Sequence, residues 1–74
     1  MQDYLFQVRM RYEDGSEWVI GMRIPETNET QAIVAAKQLV TSAISRGKYS
    51  KPDVPMSSWV CLLAEDPVEP TPVP

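Results

Sequence analysis

Residues 3–24, "DYLFQVRMRYEDGSEWVIGMRI", decide the fold. Tyr4, Phe6, Val8, Met10 and Tyr12 are apolar and alternate with Leu5, Gln7, Arg9 and Arg11. The same period of two returns at Trp18, Ile20, Met22 and Ile24, which predicts two half-buried strands over 4–12 and 17–24. The turn between them, "YEDGS", is settled by parity. A two-residue Asp14-Gly15 turn would set Tyr12 against Glu17 and put apolar positions opposite polar ones, although cross-strand partners share a face. A three-residue loop, Glu13-Asp14-Gly15, with Gly15 left-handed in a G1 bulge, instead pairs Met10 with Trp18, Val8 with Ile20 and Phe6 with Met22. The bulged turn is the expectation.

Downstream, Pro25 is expected to stop the second strand, and "ETNETQ" supplies a helix start, with Asn28 as cap and Gln31 completing a capping box. The helix should run to about Arg46 and end at Gly47. Ala32, Ile33, Ala36, Leu39, Val40, Ala43 and Ile44 would form its apolar stripe. Gly47, Pro52 and Pro55 mark a loop, and a third strand is expected from Ser57 to Ala64. That strand is apolar on both faces: Trp59, Cys61 and Leu63 on one, Val60, Leu62 and Ala64 on the other. The predicted class is α+β: a three-stranded antiparallel sheet in the order β-β-α-β, strand 3 beside strand 1, with one helix packed on one face. Residues 1–64 form the single domain, and residues 65–74, "EDPVEPTPVP", an acidic proline-rich tail in which polyproline II or disorder is the physical expectation.

Composition excludes several functions. A chain of 74 residues with one cysteine and no histidine can form no internal disulfide and lacks the commonest zinc and general-base ligand. No catalytic residue, metal site or cofactor is expected. Cys61 lies mid-strand without a base, Glu65 and Asp66 precede a proline in the tail, and no glycine-rich phosphate loop exists. The chain is read as a non-enzyme. The longest apolar run is far short of a membrane span and no secretory leader is visible, so a cytoplasmic setting is expected.

Charge divides the chain. Residues 1–64 hold seven basic and seven acidic groups, and the net charge of −3 comes from Glu65, Asp66 and Glu69. A neutral body argues against a nucleic-acid partner held by bulk charge. Two basic groupings remain. Arg46, Lys48, Tyr49 and Lys51 combine cations with an aromatic ring, a pattern suited to a nucleic-acid contact, though more often such a loop is simply solvated. Arg9, Arg11 and Arg23 rim the face expected to lie opposite the helix, with Arg11 facing Glu17 across the hairpin. Beside Trp59 and Val60 of the two-faced third strand, these arginines are the candidate protein-binding surface. Two blander accounts stay open: the apolar edge is tolerated, or Val68 and Val73 of the tail cover it. A homodimer joined at strand 3 is a third reading, and the acidic prolines then act as a guard that ends a sticky edge.

The hairpin, the "PETNETQAIVAAK" passage into an alanine-rich helix, the last strand and the short tail resemble small phage-encoded host-takeover proteins. In order and size, residues 3–66 are similar to the host RNA polymerase inhibitors of T7-type phages and to compact anti-CRISPR proteins. The resemblance implies non-catalytic inhibition, in which a small folded surface occupies a functional site on a host protein complex in the host cytoplasm. No residue motif transfers from either group. Many such inhibitors are strongly acidic, whereas this body is neutral, which sets it apart from charge mimics of DNA.

Overall fold

A computed structural model describes residues 2–65. Strand β1 spans Gln2–Tyr12, β2 Glu17–Glu26, helix α1 Glu29–Ser45 and β3 Met56–Ala64. The sheet is antiparallel in the order β2-β1-β3, so the first strand lies in the middle and α1 carries the chain across it. The expected β-β-α-β architecture is present.

The hairpin closes in the bulged register. Met10 pairs with Trp18, Val8 with Ile20 and Phe6 with Met22. The Tyr12 amide donates to Ser16 O at 3.0 Å, the Gly15 amide donates to Tyr12 O at 3.0 Å, and Gly15 takes φ +87°. That backbone conformation is strained for any residue bearing a Cβ. Asp14 tightens the turn by accepting from the Ser16 amide at 2.8 Å and from the Ser16 hydroxyl. These bonds hold its carboxyl below the usual carboxylate range.

Pro25 does not stop β2, which continues to Glu26 with Pro25 opposite Asp3. The turn explains why. Because Tyr12 directs both its N–H and its C=O toward β2, the alternation of an antiparallel ladder aims the even residues of β2 at β1 and its odd residues at the outer edge. Proline at position 25 therefore lacks a donor where no bond to β1 is made, and an edge strand tolerates it.

Helix α1 begins as the sequence indicates: Asn28 is extended and its side chain accepts from the Gln31 amide at 2.9 Å. Arg46 caps the other end, and Gly47, at φ +77°, donates to Ile44 O at 2.9 Å. Ala32, Ala36 and Val40 are buried, so small side chains let the helix lie close over the sheet. Leu39 does not belong to the buried stripe. It is 53% exposed, on the flank toward β2, where it lines a cleft with Met22 and Tyr49. The core divides into two groups along β1. Phe6 and Ile24 pack with Ala32 and Ala36; Val8, Met10 and Tyr12 pack with Val40, joined by Trp18, Ile20, Ile44, Tyr49 and Trp59. Each fully buried large apolar side chain contributes about 1.5–3 kcal/mol relative to exposure.

Strand β3 begins one residue earlier than expected, at Met56, because the pairing shifts between Arg11 and Tyr12. The shift places both Ser57 and Ser58 against Arg11, and the Ser57 hydroxyl donates to Arg11 O at 3.2 Å. Of the predicted tail, only Glu65, an exposed bend, lies among the described residues; the expectation for 66–74 lies outside them.

Candidate functional site: the sheet face opposite the helix

Register assigns every strand side chain to a face. Even residues of β1 and β2 point to α1. Opposite the helix lie Leu5, Gln7, Arg9 and Arg11 of β1, and Glu17, Val19, Gly21 and Arg23 of β2. On β3 the pairs Arg9–Val60, Gln7–Leu62 and Leu5–Ala64 add Val60, Leu62 and Ala64 to this face. Trp59 pairs with Met10 and so belongs to the helix side, where it packs against the core. Trp59 and Val60 thus point to opposite faces, the division the sequence pattern implies, and the pairing with β1 assigns Val60 to the face of the arginines.

The arginines are divided as well. Glu17 reaches both Arg11, Nε to Oε2 3.2 Å, and Arg9, Nε to Oε1 3.8 Å. The two cations are thus oriented side by side by one carboxylate while staying largely open to solvent; the Arg11 side chain is 69% exposed. Pairs this exposed contribute at most about 1 kcal/mol, so Glu17 serves mainly to orient them. Arg23 stands apart, opposite Leu5, four residues along β2 from the partner of Arg9. At about 3.3 Å per residue that separation is roughly 13 Å. Arg9, Arg11, Ser58 and Val60 line a groove of about 280 Å³ that Trp59, from the helix side of β3, also borders. Val60 and Leu62 are 46% and 54% exposed, whereas Val19 is buried. Arginine forks beside exposed aliphatic side chains suit a protein surface offering carboxylates and apolar groups.

The second basic grouping is built into the fold. The Tyr49 ring meets Trp18 edge-on, centroids 5.4 Å apart, and its carbonyl accepts from the Tyr12 hydroxyl. Lys51 donates to Ser16 Oγ at 2.7 Å and stands over the Tyr12 ring. Lys48 lies 5.6 Å from the Tyr49 ring centre and, like Arg46, is exposed. Trp18 takes up part of the Tyr49 ring and Lys51 is committed to Ser16 and Tyr12, so Arg46 and Lys48 are the exposed cations of this set.

Cys61 faces the helix and is half-buried. Burial pushes its thiol above the usual range, against the pull of Lys37, which leaves it protonated and weakly nucleophilic at neutral pH. Among the described residues no group of three or more Cys, Asp and Glu side chains is placed to hold a metal ion. Likewise among them, no helix is long and apolar enough to cross a membrane.

The sequence did not single out Leu62 or the bridging role of Glu17 toward Arg9. Leu62 could not be assigned to a face because β3 is apolar at both parities; only the pairing with β1 assigns it. The parity of the hairpin, which places Arg9, Arg11 and Glu17 on one face, was the signal available for Glu17. No protein-family model matches the chain, and no curated protein or solved structure shows significant similarity to it.

Proposed function

We propose that this is a non-catalytic binding protein, encoded by a phage or mobile element, that inhibits a host protein complex through the sheet face opposite the helix. The observation carrying this reading is the pairing of Arg9 and Arg11 by Glu17 beside the exposed Val60 and Leu62. An exposed apolar strip rimmed by oriented cations is the usual form of a protein-docking surface. The resemblance in layout to phage host-takeover inhibitors supplies the class of target, a large host machine such as RNA polymerase or a CRISPR effector.

The test compares the wild-type chain with the Arg9→Glu/Arg11→Glu double variant, both checked for folding by circular dichroism. Each is used to capture host complexes, and any complex captured is assayed for activity with purified components. The expected outcome is one complex whose activity falls with the wild type and whose affinity drops about tenfold or more with the variant, since reversing rim charges weakens complementary association. Equal recovery by both chains, or binding without inhibition, overturns the proposal.

A further inference from the structure

The two edges of the sheet are unlike. The outer edge of β2 carries Glu17, Arg23 and Glu26 and places Pro25 at an outward-pointing position, all features that oppose pairing with another strand. Strand β3, the other edge, has no charge and no proline from Met56 to Ala64, and among the described residues it pairs with β1 alone. Three of the five exposed large apolar residues of the described chain, Val60, Leu62 and Leu63, lie on it. They are distributed over both faces, so a partner lying against one face would cover two of them and leave the third.

A second strand alongside β3 gives each of the three a cross-strand neighbour while the sheet face bearing Val60 and Leu62 stays open. We infer that β3 pairs antiparallel with β3 of a second copy of this chain, about a two-fold axis at Cys61. In that register Val60 meets Leu62 of the copy on the face opposite the helix, and Leu62 meets Val60. On the helix face Trp59 meets Leu63, and Leu63 meets Trp59. The backbone phase agrees. Arg9 and Arg11 direct their bonding groups to β3 because Tyr12 directs its own to β2, so Val60 bonds inward and Trp59, Cys61 and Leu63 present N–H and C=O outward. The self-paired register sets those three positions against one another as hydrogen-bonded pairs. No like charges are brought together, because β3 has none.

The geometry leaves room for the helices. Edge pairing extends one continuous sheet, β2-β1-β3-β3-β1-β2, with both helices on the same side, and α1 lies nearer β2 than β3, away from the joint. The remaining edges are the two β2 strands, whose proline and charges stop further growth, so the assembly closes at two copies. The sheet faces opposite the helices also become one surface of doubled length, carrying two sets of Arg9 and Arg11.

Sedimentation equilibrium of the full chain over a concentration series up to about 1 mM reads this out, because a single strand edge is a small interface and associates weakly. The wild type is expected to pass from one to two chain masses and no further. Two variants test the register: V60E/L62K places opposite charges across the two-fold axis and is expected to dimerise, whereas V60E/L62E places like charges there and is expected to stay monomeric. Circular dichroism confirms that each is folded. A wild type monomeric throughout overturns the inference, as does open-ended growth, a dimer that persists in V60E/L62E, or its loss in V60E/L62K. The Arg9→Glu/Arg11→Glu variant should dimerise like the wild type, so loss of host binding and loss of dimerisation can be told apart.

Discussion

The Lys51 ammonium stands 4.5 Å from the centre of the Tyr12 ring while donating to Ser16 Oγ at 2.7 Å. One side chain thereby ties the loop before β3 to the tip of the hairpin, thirty-five residues earlier in sequence. Lys51→Met keeps the aliphatic stem and removes the cation and the donor. It is expected to lower stability by about 1–2 kcal/mol, the sum expected of a half-buried cation–π contact and one hydrogen bond. The midpoint of urea unfolding measures this; an unchanged midpoint would show that the loop is held by Tyr49 and Met56 without Lys51.

Ala36 is fully buried where α1 crosses the sheet, and Leu39, three positions on, is half in solvent. Ala36→Leu should cost about 1–3 kcal/mol by forcing the helix off Phe6 and Ile24. Leu39→Gln should change stability by less than about 0.5 kcal/mol, as surface substitutions generally do. Thermal unfolding of the two variants gives the comparison, and a Leu39→Gln loss as large as that of Ala36→Leu would place the helix in a different rotation about its axis.

The bonds from Ser16 hold the Asp14 carboxyl below its ordinary range, with a smaller contribution from Lys51. A group whose folded pKa is depressed stabilises the fold above its unfolded pKa, near about 3.9, and that stabilisation is lost as pH falls through the folded value. Asp14→Asn retains an acceptor for Ser16 but cannot titrate. Urea midpoints measured between neutral pH and pH 2 should therefore fall less in Asp14→Asn than in the wild type. Parallel curves for the two proteins would assign the acid sensitivity to other carboxylates.

Much of the architecture was legible because β1 and β2 are each apolar at one parity only. Parity fixed the hairpin register, the left-handed Gly15, the Arg11–Glu17 pairing and the face on which the helix packs. The same reasoning fell short on β3, where Trp59, Val60, Cys61, Leu62 and Leu63 form an apolar run: parity put Trp59 and Val60 on opposite faces, but only their partners Met10 and Arg9 show which of the two faces the helix. Pro25 misled for a related reason. Whether proline ends a strand depends on which way the missing donor would have pointed, and that follows from the hairpin turn rather than from residue 25. Leu39 was misassigned because a stripe chosen by composition is wider than the band of α1 that small side chains bring into contact. The loop aromatics were legible as residue types but not in their commitments, since Tyr49 meets Trp18 only after the chain has folded back across the sheet.

The central position of β1 bears on when the protein can fold during its synthesis. Its neighbour on one side is made immediately after it, but its neighbour on the other, β3, is made last among the described elements. Until β3 emerges from the ribosome the nascent chain has a two-stranded ribbon and a helix to work with, and a lone hairpin is at best marginally stable in water. The sheet is completed by a contact between distant parts of the chain, which slows folding relative to a design built from local contacts. A nascent chain halted before residue 56 should remain open to proteases, and resistance should appear in one step once Met56–Ala64 can reach Phe6, Val8 and Met10.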